Sequence, residues 1–268
     1  MIINGLSIKG VPVNDGLVTS GLKLYLDSRN PRSFGNTTST TWTDLSGNGN
    51  HATFYKNPSQ LNNSSGVVAD GTAIGGNVLL STSGDIRFDG STANVQYQYA
   101  AGANLGTGIT QWTINTWAKI NSWVTSPLMT ALFTGIYTGG GAGQQTTVNF
   151  CLTNYDGVGG SGSYIRAGFF DGSWHLGGTY SPSLNTWYNF SCTYDGTNLK
   201  LYVNGTLQQT LNYASTTMTS TLGYRVGRRW DGYDSFDAYI PVAMFYNRAL
   251  SAAEVSQNFT YHRGRYGV

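Results

Sequence analysis

Three alternating segments joined by two tight turns constrain this chain more than any other feature. Trp187–Tyr194 alternates, and Tyr194-Asp195-Gly196-Thr197 turns it. Leu199–Val203 follows, then Val203-Asn204-Gly205-Thr206, then Thr206–Leu211. Asn-Gly suits the two-residue turn whose backbone twist matches that of paired strands. Consecutive period-2 segments with such turns make an antiparallel sheet with one buried face. The same grammar covers most of the chain. Leu22–Asp27 alternates and stops at Asn30-Pro31. Ile86–Phe88, Val95–Tyr99, Trp112–Ile120, Leu128–Ile136, Thr147–Thr153, Tyr164–Phe170, Trp174–Tyr180, Tyr224–Arg228 and Tyr239–Tyr246 read as further strands. Residues 35–50 read as a polar loop, and the glycine-rich runs 139–143 and 157–162 as loop tips. The expectation is two face-packed antiparallel sheets of about 12–14 strands.

One helix is expected. Ser251-Ala252-Ala253-Glu254 is a capping box, Leu250 and Val255 can staple the entry, and Gly264 lies beyond the end. Residues 1–20 show little periodicity and read as an arm, leaving 21–268 as one domain. A sandwich of about this length forms a single domain.

Composition agrees. The 268 residues include 36 Gly, 18 Tyr and 7 Trp, and only 10% are charged. That is too aromatic for a disordered chain. A net charge of +2 sets up no field that would recruit nucleic acid or an anionic membrane. No apolar run approaches the length of a membrane span, so no membrane insertion is expected. The first residues lack the pattern of a signal peptide, which points to folding in a cytoplasm. In that compartment Cys151 and Cys192 are expected as free thiols, Cys192 sharing a face with Phe190 and Tyr194.

The chain offers little for catalysis. Glycosidic hydrolysis needs an acid and a nucleophile or base at roughly 5–9.5 Å. The sole glutamate, Glu254, is already a helix cap, and no strand carries acidic residues at i, i+2 and i+4. His51, His175 and His262 are far apart and accompany no nucleophile motif. No catalytic residue is assigned, and no cofactor other than Ca²⁺ is considered. Asp44, Ser46, Asn48 and Asn50 alternate around glycines, a pattern that can present oxygens to Ca²⁺ or close an Asx turn on its own backbone. For ligand binding, Arg228-Arg229-Trp230-Asp231-Gly232-Tyr233-Asp234 combines aromatics with charge, and Trp174 neighbours a turn. Arg228, Trp230, Asp231, Tyr233 and Trp174 are therefore candidate ligand contacts, with covering of the core edge as the other reading of the aromatics. The arginines at 225, 228 and 229 read as solvated or at an interface, and the loop is expected to face water because unpaired charge is costly to bury.

Four segments resemble the laminin G-like/concanavalin A-like lectin superfamily. They are Phe88-Asp89-Gly90 with Trp112–Ala118, Thr186–Gly196, Leu199–Gly205, and Phe236–Ile240 running through Phe245–Glu254. Leu24-Tyr25-Leu26-Asp27, Thr41–Asn50 and Arg263-Gly264-Arg265-Tyr266-Gly267 resemble the subtype found in bacteriophage structural proteins. The resemblance implies an all-β, antiparallel jelly-roll β-sandwich with one short C-terminal helix. It further implies a virion structural protein (decoration, fibre or neck component), assembled in a host cytoplasm, contacting other virion proteins and copies of itself. Host-surface glycan is the implied ligand. A free-standing carbohydrate-binding lectin is the alternative.

Overall fold

The computed structural model describes residues 16–36, 39–57, 72–73, 80–88, 97–102, 105–123, 130–137, 151–155, 161–170, 173–213, 222–228 and 237–268. In chain order the strands are β1 (Leu22–Asp27), β2 (Thr41–Trp42), β3 (Ala52–Asn57), β4 (Thr72–Ala73), β5 (Arg87–Phe88), β6 (Tyr97–Gly102), β7 (Trp112–Ser122) and β8 (Ala131–Tyr137). They continue as β9 (Cys151–Tyr155), β10 (Ser161–Phe170), β11 (Trp174–Tyr180), β12 (Trp187–Tyr194), β13 (Asn198–Val203), β14 (Thr206–Asn212), β15 (Leu222–Val226) and β16 (Asp237–Tyr246), followed by helix α1 (Ala252–Arg263). A seven-stranded sheet runs β1-β16-β7-β12-β13-β14, with β5 on β16. A nine-stranded sheet runs β11-β10-β9-β8-β15-β6-β3-β2, with β4 on β3. All pairings are antiparallel among the described residues.

The jelly-roll expectation holds, but the sixteen strands among the described residues exceed the 12–14 anticipated. The additions are β2, β3 and β4. β2 lies inside the stretch read as a polar loop, where Trp42 is fully buried and stacks on Phe54 of β3 at 5.8 Å. β3 gives a weak local signal because Phe54 is its one large inward residue. Pairing with β6 makes it a strand.

Cross-strand register sorts the side chains by face, since opposed residues share a side. In the seven-stranded sheet Leu24, Phe245, Ile114, Cys192 and Leu201 form one row of the core. In the other sheet Phe54, Ala100, Val226, Phe133, Leu152 and Ala167 form the facing row. Cys151 and Cys192 are both free and fully buried, and burial raises both thiol pKa values. They behave as small apolar core residues.

The chain ends seal the outer face of the seven-stranded sheet. Ser251 accepts from Glu254 N, and the Glu254 carboxylate reaches back to Ser251 N at 2.8 Å. The helix so capped brings Val255 into one buried cluster with Tyr25, Met244, Tyr246 and Leu250. Tyr266 stacks on Trp117 at 4.3 Å and meets Trp187 at a tilt, 4.7 Å away. The described part of the N-terminal stretch, residues 16–20, runs along the same face. Val18 is buried there, its N–H donates to Asn258 Oδ1, and its carbonyl accepts from the Tyr246 hydroxyl.

Candidate functional site

The two outer faces differ in what covers them. Under helix α1 the outer row is Tyr25, Met244, Asn115, Ser191 and Tyr202, all buried. Asn115 and Asn189 exchange side-chain amide hydrogen bonds there, and Asn115 also donates to Ser191 Oγ. These polar groups are used up in holding the layer together.

The outer face of the nine-stranded sheet carries a half-buried aromatic ledge at its β9–β10–β11 end. In β10, Ile165, Ala167 and Phe169 point into the core, so Tyr164, Arg166, Gly168 and Phe170 take the opposite side. Trp174 pairs with Phe170 across the β10–β11 ladder, and their rings lie 5.1 Å apart. Tyr155, at the end of β9, meets the Trp174 ring edge-on at 5.0 Å. Leu176 packs with both. Gly168 makes room for it, because a Cβ there would lie 2.4 Å from Leu176 Cδ2. The Arg166 guanidinium extends the ledge, 5.7 Å from the Tyr164 ring. The ledge thus joins aromatic faces to a planar donor, the combination that recognises a ring with one apolar face and equatorial hydroxyls. His175 serves the opposite side of its strand, stacking on Phe169 at 4.7 Å and meeting Tyr213 edge-on at 4.8 Å.

Of the candidate ligand contacts read from sequence, Trp174 lies on this ledge. Tyr155, Tyr164, Arg166 and Phe170 share the ledge with it and were not singled out from sequence, although the alternation of Tyr164–Phe170 already assigns three of them to the side away from Ile165. Trp230, Asp231 and Tyr233 lie outside the described residues. Arg228 requires a correction. It is fully buried rather than solvated, with its guanidinium 4.4 Å from the centre of the Tyr99 ring. Arg225 is 4% exposed and 5.9 Å from the same ring. Charge count alone suggested water, but a guanidinium is planar and weakly hydrated and stacks on aromatic faces. Gly227 allows the approach: its φ is +80°, and a Cβ there would lie 2.5 Å from Phe88 Cγ.

The Asp44–Asn50 loop is closed by its own hydrogen bonds. Asp44 Oδ1 accepts from Tyr25 N and Ser46 N at 2.9 Å each. Oδ2 accepts from Ser46 Oγ at 2.7 Å and Asn50 N at 3.0 Å. Asn48 Nδ2 donates to Leu22 O, and Asn50 Nδ2 to Lys23 O, stitching the loop to β1. All four lone-pair directions of the carboxylate are taken by protein donors. This donor set fits an Asx turn along a sheet edge rather than the open oxygen shell a Ca²⁺ ion requires. Among the described residues no group of three or more His, Cys, Asp or Glu side chains converges.

Glu254 is equally committed. Both carboxylate oxygens bond Arg248, at 2.6 and 2.9 Å, and those bonds lower its pKa to about 2. A carboxyl held ionised cannot donate a proton to a leaving group. His262 is buried, and burial followed by the charge of Arg265 lowers its pKa to about 4.

Comparison with known proteins bears on the fold. A family model for the concanavalin A-like lectin/glucanases superfamily matches residues 89–256. No curated protein matches the chain. Among solved structures, domain 4 of AbnA, a GH43 extracellular arabinanase from Geobacillus stearothermophilus in complex with arabinotriose, superposes with a TM-score of 0.63 at 16% identity, covering 89% of this chain and 98% of that one. The botulinum neurotoxin serotype D binding domain gives 0.58 at 15% identity, covering 92% and 52%. Botulinum neurotoxin type C, described with two ganglioside molecules, gives 0.56 at 14%, covering 89% and 50%. The chain spans about half of those two toxin chains. At these identities the likeness is one of fold.

Proposed function

Because the chain belongs to the concanavalin A-like lectin/glucanases superfamily, we propose that it is a glycan-binding domain that works by recognition and not by turnover. The observation that carries this reading is the ledge of Tyr155, Phe170 and Trp174 with Arg166 beside it. A pyranose or furanose would lay its C–H face on Trp174 while Arg166 donates to ring hydroxyls. Arabinotriose in one fold relative and gangliosides in another make saccharides the first ligands to try. Titration with arabinotriose, glucan oligosaccharides and ganglioside headgroups, followed by tryptophan fluorescence, tests it. Trp174→Ala is expected to weaken binding by about tenfold and to change melting by only a few degrees, since one stacked ring contributes about 1–1.5 kcal/mol. Equal binding by the variant would move the site off the ledge. Incubation with the same saccharides should release no reducing sugar.

The carrier we propose is a virion. In support, the segments resembling phage structural proteins meet in one place. Asp27 of β1 is gripped by Arg265 from the chain end, and Asp44 of the turn bonds β1 at Tyr25 N. Detection of the protein in purified virus particles, with its position seen by electron microscopy, supports this role. Its absence from particles, with glycan binding intact, leaves a free-standing lectin.

A further inference from the structure

A second cleft lies on the helix side of the sandwich, away from the ledge. Its volume is about 260 Å³, and it opens where residues 17–19, the edge of β1, the turn after β1 and the Asp44 loop come together. Leu17, Leu22, Leu45 and the Tyr25 ring supply apolar walls, and all four belong to the layer under helix α1. Asn30 and Arg32 stand on its polar side.

The polar pair is unusual in this molecule. Arg29, Arg87, Arg248 and Arg265 are each tied to a carboxylate. Among the described residues, the exposed Arg32 guanidinium has no hydrogen bond or ion pair; only its backbone N–H is engaged, with Asn30 Oδ1 at 3.0 Å. That bond occupies the acceptor end of the Asn30 amide and leaves its NH₂ group available. The neighbouring carboxylates are satisfied elsewhere: Asp27 by Arg265, and Asp44 by four donors within its loop and β1. A guanidinium fork and an amide N–H₂ facing one cleft, with no carboxylate of the described residues left to fill it, are complementary to a carboxylate. The apolar walls require that the carboxylate be carried on a compact body with a hydrocarbon face. The volume, just under the roughly 300–1,000 Å³ range of ordinary ligand pockets, admits about one ring.

We propose that this cleft binds a small carboxylate on a compact, ring-sized body, with Arg32 as the anchoring fork, Asn30 as the second donor, and Leu22, Leu45 and Tyr25 as the apolar seat. The ligand chemistry is shared by acidic sugars and by cyclic organic acids. This site is independent of the glycan ledge.

The test is NMR or calorimetric titration of the full chain with cyclohexanecarboxylate, its neutral counterpart cyclohexanol, and glucuronate. Cyclohexanecarboxylate or glucuronate is expected to bind at least about tenfold more tightly than cyclohexanol, because a charge-assisted hydrogen bond is being read. Whichever acid binds better identifies the source of the carboxylate. Arg32→Gln should remove that preference, and Arg32→Lys should keep part of it. Trp174→Ala should leave it unchanged, which separates this site from the ledge. Arg32 makes no side-chain contact that folding depends on, so the variants should retain the wild-type circular dichroism. The proposal is overturned if neither acid binds, if cyclohexanol binds as tightly as the acids, or if Arg32→Gln binds like wild type.

Discussion

Asp27 shows how one buried charge organises the chain end. It is 2% exposed and accepts two bonds from Arg265, at 2.5 and 2.7 Å, one from the Tyr25 hydroxyl and one from Arg29 N. Burial pushes its pKa up, but the hydrogen bonds and charge of Arg265 outweigh this and hold it below the usual carboxylate range. Asp27→Asn leaves Arg265 without its counter-charge and is expected to cost about 3–5 kcal/mol, read from denaturant melts. Acid should act in stages. His262 titrates at about 4 in the fold against 6.5 unfolded, so the unfolded chain binds more protons across that window, and stability falls as pH falls through it. Glu254, lowered from 4.5 to about 2, and Asp27 continue the loss below pH 4.5. Melting temperature against pH should therefore begin to drop below about 6.5, and His262→Gln should flatten the first stage. The Asp44 loop leads to another expectation at this scale. With its carboxylate saturated, millimolar Ca²⁺ or a chelator should leave the melting temperature unchanged. A rise with Ca²⁺ that Asp44→Asn abolishes would show that the ion displaces these bonds.

At the scale of elements, the strongest local signals became the structures they announced. The Asn204-Gly205 turn has φ of +49° and +75°, the left-handed pair that a two-residue hairpin demands. Gly205 also passes close to the helix, where a Cβ would lie 3.1 Å from Phe259 Cδ1. The capping box was legible for the same reason: its hydrogen bonds join residues three apart. Ser251→Ala is expected to cost about 1 kcal/mol in thermal or denaturant unfolding, with the Arg248–Glu254 pair keeping the helix start in place. By contrast, β3 was not legible. Its identity as a strand comes from pairing with β6, whose residues lie 40 to 48 positions further along.

At the scale of the molecule, helix, C-terminus and residues 16–20 act as one lid over the seven-stranded sheet. The division drawn at residue 20 leaves Val18 on the arm side, yet Val18 belongs to the buried cluster that holds Tyr246 and Val255. The melting temperature after removal of residues 1–15, which leaves Val18 in place, is the reference. Removing residues 1–20 should lower it by several degrees, because a buried valine and its two backbone hydrogen bonds are lost. If the longer deletion melts like the shorter one, the strap contributes nothing to the lid. By itself the sequence determined the strand grammar, both tight turns and the capped helix. Each of these is written in residues close together, where period, turn chemistry and capping act through local backbone geometry. That Arg228 lies over Tyr99, and that Trp174 meets Tyr155 and Phe170, were decided only by the tertiary structure. These facts depend on sheet register and on how the sheets and chain ends pack, and register is set by the whole set of strand pairings at once.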